Sequence, residues 1–120
     1  MAAILLFVVP AEYNQIIEDY LIQEYPNQPY EYWRKSAING VSYGIATSGK
    51  KWKVVLKDIV GHPVHTNSPI VCYTAFRAFR DFIGLPVLAS EAQPLEAFVY
   101  EHWKRRDTTV ADLATMTLIK

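Results

Sequence analysis

Ala3–Val9 (A-I-L-L-F-V-V) is an unbroken apolar run closed by Pro10. So short a run without polar alternation predicts a strand buried on both faces. Pro10 can stop a strand and also open a helix, because its φ is fixed near the helical value. From Ala11 to Glu24 apolar residues fall at Tyr13, Ile16, Ile17, Tyr20 and Leu21, with Glu12, Glu18, Asp19 and Gln23 on the other side. That spacing predicts a helix. Pro26 ends it, and Pro26–Tyr32 reads as a Tyr- and Pro-containing connector.

Two turn signals follow. Asn39-Gly40 suits the type I′ hairpin turn, which needs positive φ at both central residues, and Ser48-Gly49 is a weaker second signal. Taken as two-residue turns, they predict a three-stranded antiparallel meander from about Trp33 to Lys57. Counting places Val41, Tyr43, Ile45, Trp52, Val54 and Leu56 on one apolar face, because side chains alternate with period two. The opposite face then holds Trp33, Lys35, Ala37, Ser42, Gly44, Ala46, Lys51, Lys53, Val55 and Lys57. It reads as a floor of small residues rimmed by lysines.

Gly61–Pro69 reads as a loop, and Ser68-Pro69 as a helix start with Ser as N-cap. Val71, Cys72, Ala75, Phe76, Phe79, Phe82 and Ile83 form a broad apolar stripe before the stop at Gly84-Leu85-Pro86. Ser90-Glu91-Ala92-Gln93 resembles a capping box opening a third helix with Leu95, Phe98, Val99 and Trp103 on one stripe. Lys104–Arg106 would complement that helix's C-terminal dipole. Asp107-Thr108-Thr109 would cap a short last helix with Val110, Leu113 and Ala114 inward. The expected fold class is α+β: an N-terminal strand and helix, the meander, then two to three C-terminal helices packed on one sheet. At 120 residues the chain is expected to be a single domain spanning 1–120.

Composition changes this picture little. The chain is 51% hydrophobic, 20% charged and of zero formal net charge, so global charge points to neither a nucleic-acid nor a membrane partner. Met1–Val9 lacks the basic start and small-residue cleavage motif of a signal peptide, and no run reaches membrane-spanning length. One cysteine, Cys72, precludes an internal disulfide and fits a reducing compartment. A cytoplasmic protein with no membrane partner is the expectation.

Charge distribution changes it more. Residues 11–32 carry Glu12, Glu18, Asp19, Glu24 and Glu31 with no Lys or Arg, whereas residues 33–57 carry Arg34, Lys35, Lys50, Lys51, Lys53 and Lys57 with no acid. The predicted basic face would complement an acidic protein surface, or follow a phosphate backbone with Trp33 stacked on a base. Tyr25, Tyr30 and Tyr32 crowd the connector, and exposed aromatics favour interfaces. Plainer accounts exist: lysines guard sheets against aggregation, a C-terminal helix would cover the small-residue floor while lysine stems reach outward, and the connector tyrosines would pack onto the domain.

Catalytic signals are thin. His62-Pro-Val-His65, with Cys72 seven residues on, supplies nitrogen and sulfur donors for zinc but no fourth ligand. A Cys–His nucleophilic pair needs an exposed thiolate, yet Cys72 falls on the apolar stripe. No cofactor, metal site or catalytic residue is expected. The expectation is a non-enzymatic interaction protein that binds a protein partner through Trp33, Lys35, Lys51, Lys53, Lys57, Tyr30 and Tyr32. The alternatives are a nucleic-acid binder using the same face, and a small enzyme or metal site around His62, His65 and Cys72. A homo-oligomer is compatible with all three.

Overall fold

A computed structural model of the chain describes residues 2–21, 29–61, 66–102 and 109–119. Its elements run β1 (Ala2–Pro10), β2 (Gln15–Glu18), α1 (Pro29–Ser48), β3 (Trp52–Gly61), α2 (Ser68–Phe82), α3 (Ala89–Glu101), β4 (Val110–Asp112) and β5 (Thr117–Ile119). The fold is α+β, but its main sheet is mixed. β3 is central, with β1 antiparallel on one side and β2 parallel on the other. A register shift between Leu5 and Leu6 marks a bulge at Lys57, where Leu5 pairs with Asp58 and Leu6 with Leu56.

The expected meander does not form. Its third strand is present as β3, with Val54 and Leu56 fully buried, but the first two are replaced by α1. The stretch carries a second pattern that competes with the Asn39-Gly40 turn signal. Trp33, Ser36, Ala37, Gly40, Val41, Gly44 and Ile45 recur at three- and four-residue steps, and all are buried. The glycines answer to packing. A Cβ on Gly40 would collide with the Cys72 carbonyl oxygen and stand 2.9 Å from its carbon, and one on Gly44 would stand 2.6 Å from Phe79 Cδ2. Small residues on one helix face let α1 lie close against α2, and that contact outweighs the local turn preference. Gly49, with φ 72°, then ends the helix where the second turn signal stood.

Two further elements differ from expectation. Residues 15–18 of the expected first helix are strand β2, because pairing with Lys53–Leu56 of β3 overrides their helical spacing. The expected last helix is the β4–β5 hairpin, held by Ala111 N donating to Ser36 Oγ (3.0 Å) and Asn39 Nδ2 donating to the Ala111 carbonyl (3.1 Å). The central helices agree better. α2 begins at Ser68 with Pro69 in its first turn, although Asn67 is the cap, accepting from Ile70 N at 3.0 Å. Leu95 and Phe98 of α3 are buried as expected, and Glu91 reaches back to Leu88 N. Trp103 and Lys104–Arg106 lie outside the described residues.

One core cluster joins Leu6, Val8, Val54, Leu56 and Ile59 of the sheet to Trp33, Val41 and Ile45 of α1 and to Val71 and Phe79 of α2. A second joins Cys72 and Phe76 to Leu95, Phe98, Ala111 and Leu113. Arg80, 8% exposed, fastens α3 to α2 by pairing with Glu91 (2.8 Å) and donating to the Leu85 carbonyl (2.6 Å). No described helix is long and apolar enough to cross a membrane.

Candidate functional site

Both long helices pack on one face of the main sheet, through Leu6 and Val8 of β1 and Val54, Leu56 and Ile59 of β3. Alternation therefore turns Ala3, Leu5, Phe7 and Val9 of β1 to the other face, beside Lys53 and Val55 of β3 and Gln15 and Ile17 of β2. No described helix covers that face. Leu5 is 43% exposed, and Phe7 and Val9 are each 51% exposed. The Phe82 ring at the end of α2 sits edge-on to Phe7, with centroids 6.4 Å apart, and extends the apolar surface around the strand. β1 is an edge strand buried on one face only, which corrects the reading of a strand buried on both.

The structure separates the residues expected to share one surface. Trp33 is 4% exposed and belongs to the core, so its indole is not available to stack on a base. Lys35 lies on α1, on the helix side of the sheet, 4.0 Å from Glu31. Tyr30 and Tyr32 fall in the first turn of α1 and are half-buried, and Tyr30 meets Tyr20 edge-on at 5.9 Å. Tyr25 lies outside the described residues. Lys53 and Lys57 do belong to the central strand, with Lys51 just before it.

Part of the two charge blocks is spent on each other. Arg34 Nη1 grips Glu18 at 2.7 Å and its other arm holds Glu31, which ties β2 to α1. These contacts raise the Arg34 pKa and hold the Glu31 carboxyl below its usual range. Burial and the nearby Glu18 carboxylate push the Tyr20 hydroxyl up, so it remains a donor to Glu18. Lys57 pairs with Asp19 at 2.7 Å. Among the described residues, Lys50, Lys51 and Lys53 make no ion pair, and they collect at the start of β3. Sequence segregation thus becomes complementarity between neighbouring elements.

The enzyme reading loses its nucleophile. Cys72 is fully buried, and burial pushes its thiol up to about 12 despite a backbone hydrogen bond from Leu113 that works the other way. His62 and His65 lie outside the described residues. No group of three or more metal-ligating side chains occurs among the described residues. A cavity of about 360 Å³ between β2 and α1 is lined by Asn14, Gln15, Ile16, Ser42, Ile45 and Ala46, and none of these ionises. Asn14 is itself engaged, its Oδ1 accepting from Trp52 N at 3.0 Å.

The exposure of Leu5, Phe7 and Val9 is not legible in the sequence. A run of seven apolar residues carries no alternation from which to tell the covered face from the open one. Comparison with protein-family models, curated proteins and solved structures finds no match.

Proposed function

We propose that this chain is a non-enzymatic interaction protein that engages a protein partner through the open face of its sheet, centred on β1. The observation that carries the reading is the contiguous, uncovered run of Leu5, Phe7 and Val9, continued by Phe82 at 49% exposure. Apolar patches rimmed by polar residues mark association surfaces. Here Lys53 and Lys51 supply one rim. The basic residues first expected to carry binding take the smaller share, because Lys35 and Lys57 answer Glu31 and Asp19. The nucleic-acid alternative keeps Lys50, Lys51 and Lys53 but loses the Trp33 indole expected to stack on a base, which is 4% exposed.

Phe7→Asp with Val55→Asp tests the reading in a tagged chain recovered from its host under native conditions. Both side chains point away from the core, so the fold should survive, as far-UV circular dichroism would show. Loss of the co-purifying protein in the double variant supports the reading. An unchanged set of co-purifying proteins in a folded variant contradicts it.

A further inference from the structure

We infer that the gap between β2 and α1 is a second binding site, separate from the open sheet face, and that it takes an uncharged extended peptide added to the outer edge of β2. β2 lies at the edge of the main sheet, parallel to β3. Just past its end, Asp19 N donates to the Leu56 carbonyl and Leu21 N to the Lys57 carbonyl, both toward β3. Backbone groups alternate in direction along a strand, so Ile16 and Glu18 turn their N–H and C=O groups outward. Among the described residues no hydrogen bond uses those four groups.

A bare edge names no ligand by itself. This one has a cavity of about 360 Å³ beside it, walled by Asn14, Gln15 and Ile16 and floored by Ser42, Ile45 and Ala46 of α1. About 300 Å³ marks the small end of ligand pockets, so the space suits a short piece of chain. Ser42 and Ala46 stand one turn apart and exposed, too small to let the helix fill the gap. At the far end of β2, Arg34 of α1 grips Glu18 at 2.7 Å and closes the gap. The result is a slot, shut at Glu18 and open at Asn14, with unused backbone donors and acceptors along its rim.

The slot's chemistry selects its occupant. An extended chain beside β2 offers the alternating C=O and N–H groups that Ile16 and Glu18 leave unmet. Its side chains alternate between the two faces of the sheet. One therefore turns toward α1 and enters the cavity over Ser42 and Ala46, while its neighbours turn to the face shared by Gln15 and Ile17. None of the six lining side chains ionises, and the one carboxylate at the closed end is already held by Arg34. A charged side chain would lose its water there without gaining a counter-ion. Ile16 and Ile45 instead offer apolar contact, so the residue that enters is aliphatic.

Panning a phage-displayed library of random seven-residue peptides against the purified full chain tests the inference. The expected result is enrichment of sequences that share one uncharged aliphatic position. A synthetic peptide of that consensus should slow amide exchange at Ile16 and Glu18 at least about tenfold. Ala46→Phe, at an exposed helix position, fills the cavity and should weaken that peptide at least about tenfold with unchanged circular dichroism. Phe7→Asp, on the open sheet face, should leave its affinity unchanged. The inference is overturned if no sequence is enriched, if the shared position is charged, or if exchange at Ile16 and Glu18 does not slow. It is also overturned if binding falls with Phe7→Asp and survives Ala46→Phe, which would assign the peptides to the open face.

Discussion

Gly40→Ala places two opposed effects on one atom. In a helix interior, alanine is favoured over glycine by about 1 kcal/mol. Against that, the new methyl would overlap the Cys72 carbonyl oxygen, lie 2.9 Å from its carbon and stand 3.2 Å from the Ala75 methyl. A backbone carbonyl inside α2 cannot rotate aside, so the two helices must move apart. Overpacking costs typically about 1–3 kcal/mol, and a rigid obstacle places this case near the upper end. The net expectation is destabilisation by about 2 kcal/mol, or roughly 8 °C in Tm for a chain of this size. Ser42→Ala, at an exposed position on the same helix, should instead stabilise by about 0.5 kcal/mol. Thermal and urea melts followed by circular dichroism measure both. A rise in stability for Gly40→Ala together with a fall for Ser42→Ala would refute close α1–α2 packing, and would suit a strand at this position.

Other expectations follow from the buried and paired groups. Cys72 should resist a thiol reagent at pH 8 in the folded protein and react fully in denaturant, because burial pushes its thiol up to about 12; rapid native labelling would contradict this. Arg80→Met should cost about 2 kcal/mol in urea melts, since it leaves the Leu85 carbonyl without its donor and Glu91 with the Leu88 N–H alone. Arg80 holds the Glu91 carboxyl below its ordinary 4.5, and Arg34 does the same for Glu31. The stability from these lowered carboxyls is complete above that pH and drains away as pH falls toward the folded-state values. Glu91→Gln should therefore flatten the acid limb of a stability-against-pH curve, and an unchanged limb would count against the pair. Arg34→Ala should cost about 1 kcal/mol and loosen β2, read as faster amide exchange at Ile16 and Ile17.

Legibility in the sequence followed how local the deciding interaction was. β1, β3 and α2 could be read because Pro10, the alternation of Trp52, Val54 and Leu56, and the Ser68-Pro69 start act within a few residues, although the cap is Asn67 and not Ser68. α1 was misread because Asn39-Gly40 carries a strong local preference, while the need for small residues at Ala37, Gly40 and Gly44 comes from α2, some thirty residues away in sequence. The helical recurrence of Trp33, Ala37, Gly40, Val41 and Gly44 was present, and it competed with an equally regular alternation. β2 and the β4–β5 hairpin depend on partners distant in sequence, Lys53–Leu56 and Ser36. The candidate surface moved for the same reason. The charge blocks were visible, but their mutual pairing across β2, α1 and β3 required the fold.

The open sheet face as the binding surface is tested most directly by photo-crosslinking in the native host. A photoreactive phenylalanine analogue at position 7 would report on that face, and the same analogue at Tyr100 on α3, 82% exposed, is the control. The account predicts a discrete crosslinked protein species from position 7 and none from position 100. Crosslinks from position 100 with none from position 7 would place the partner elsewhere and contradict it.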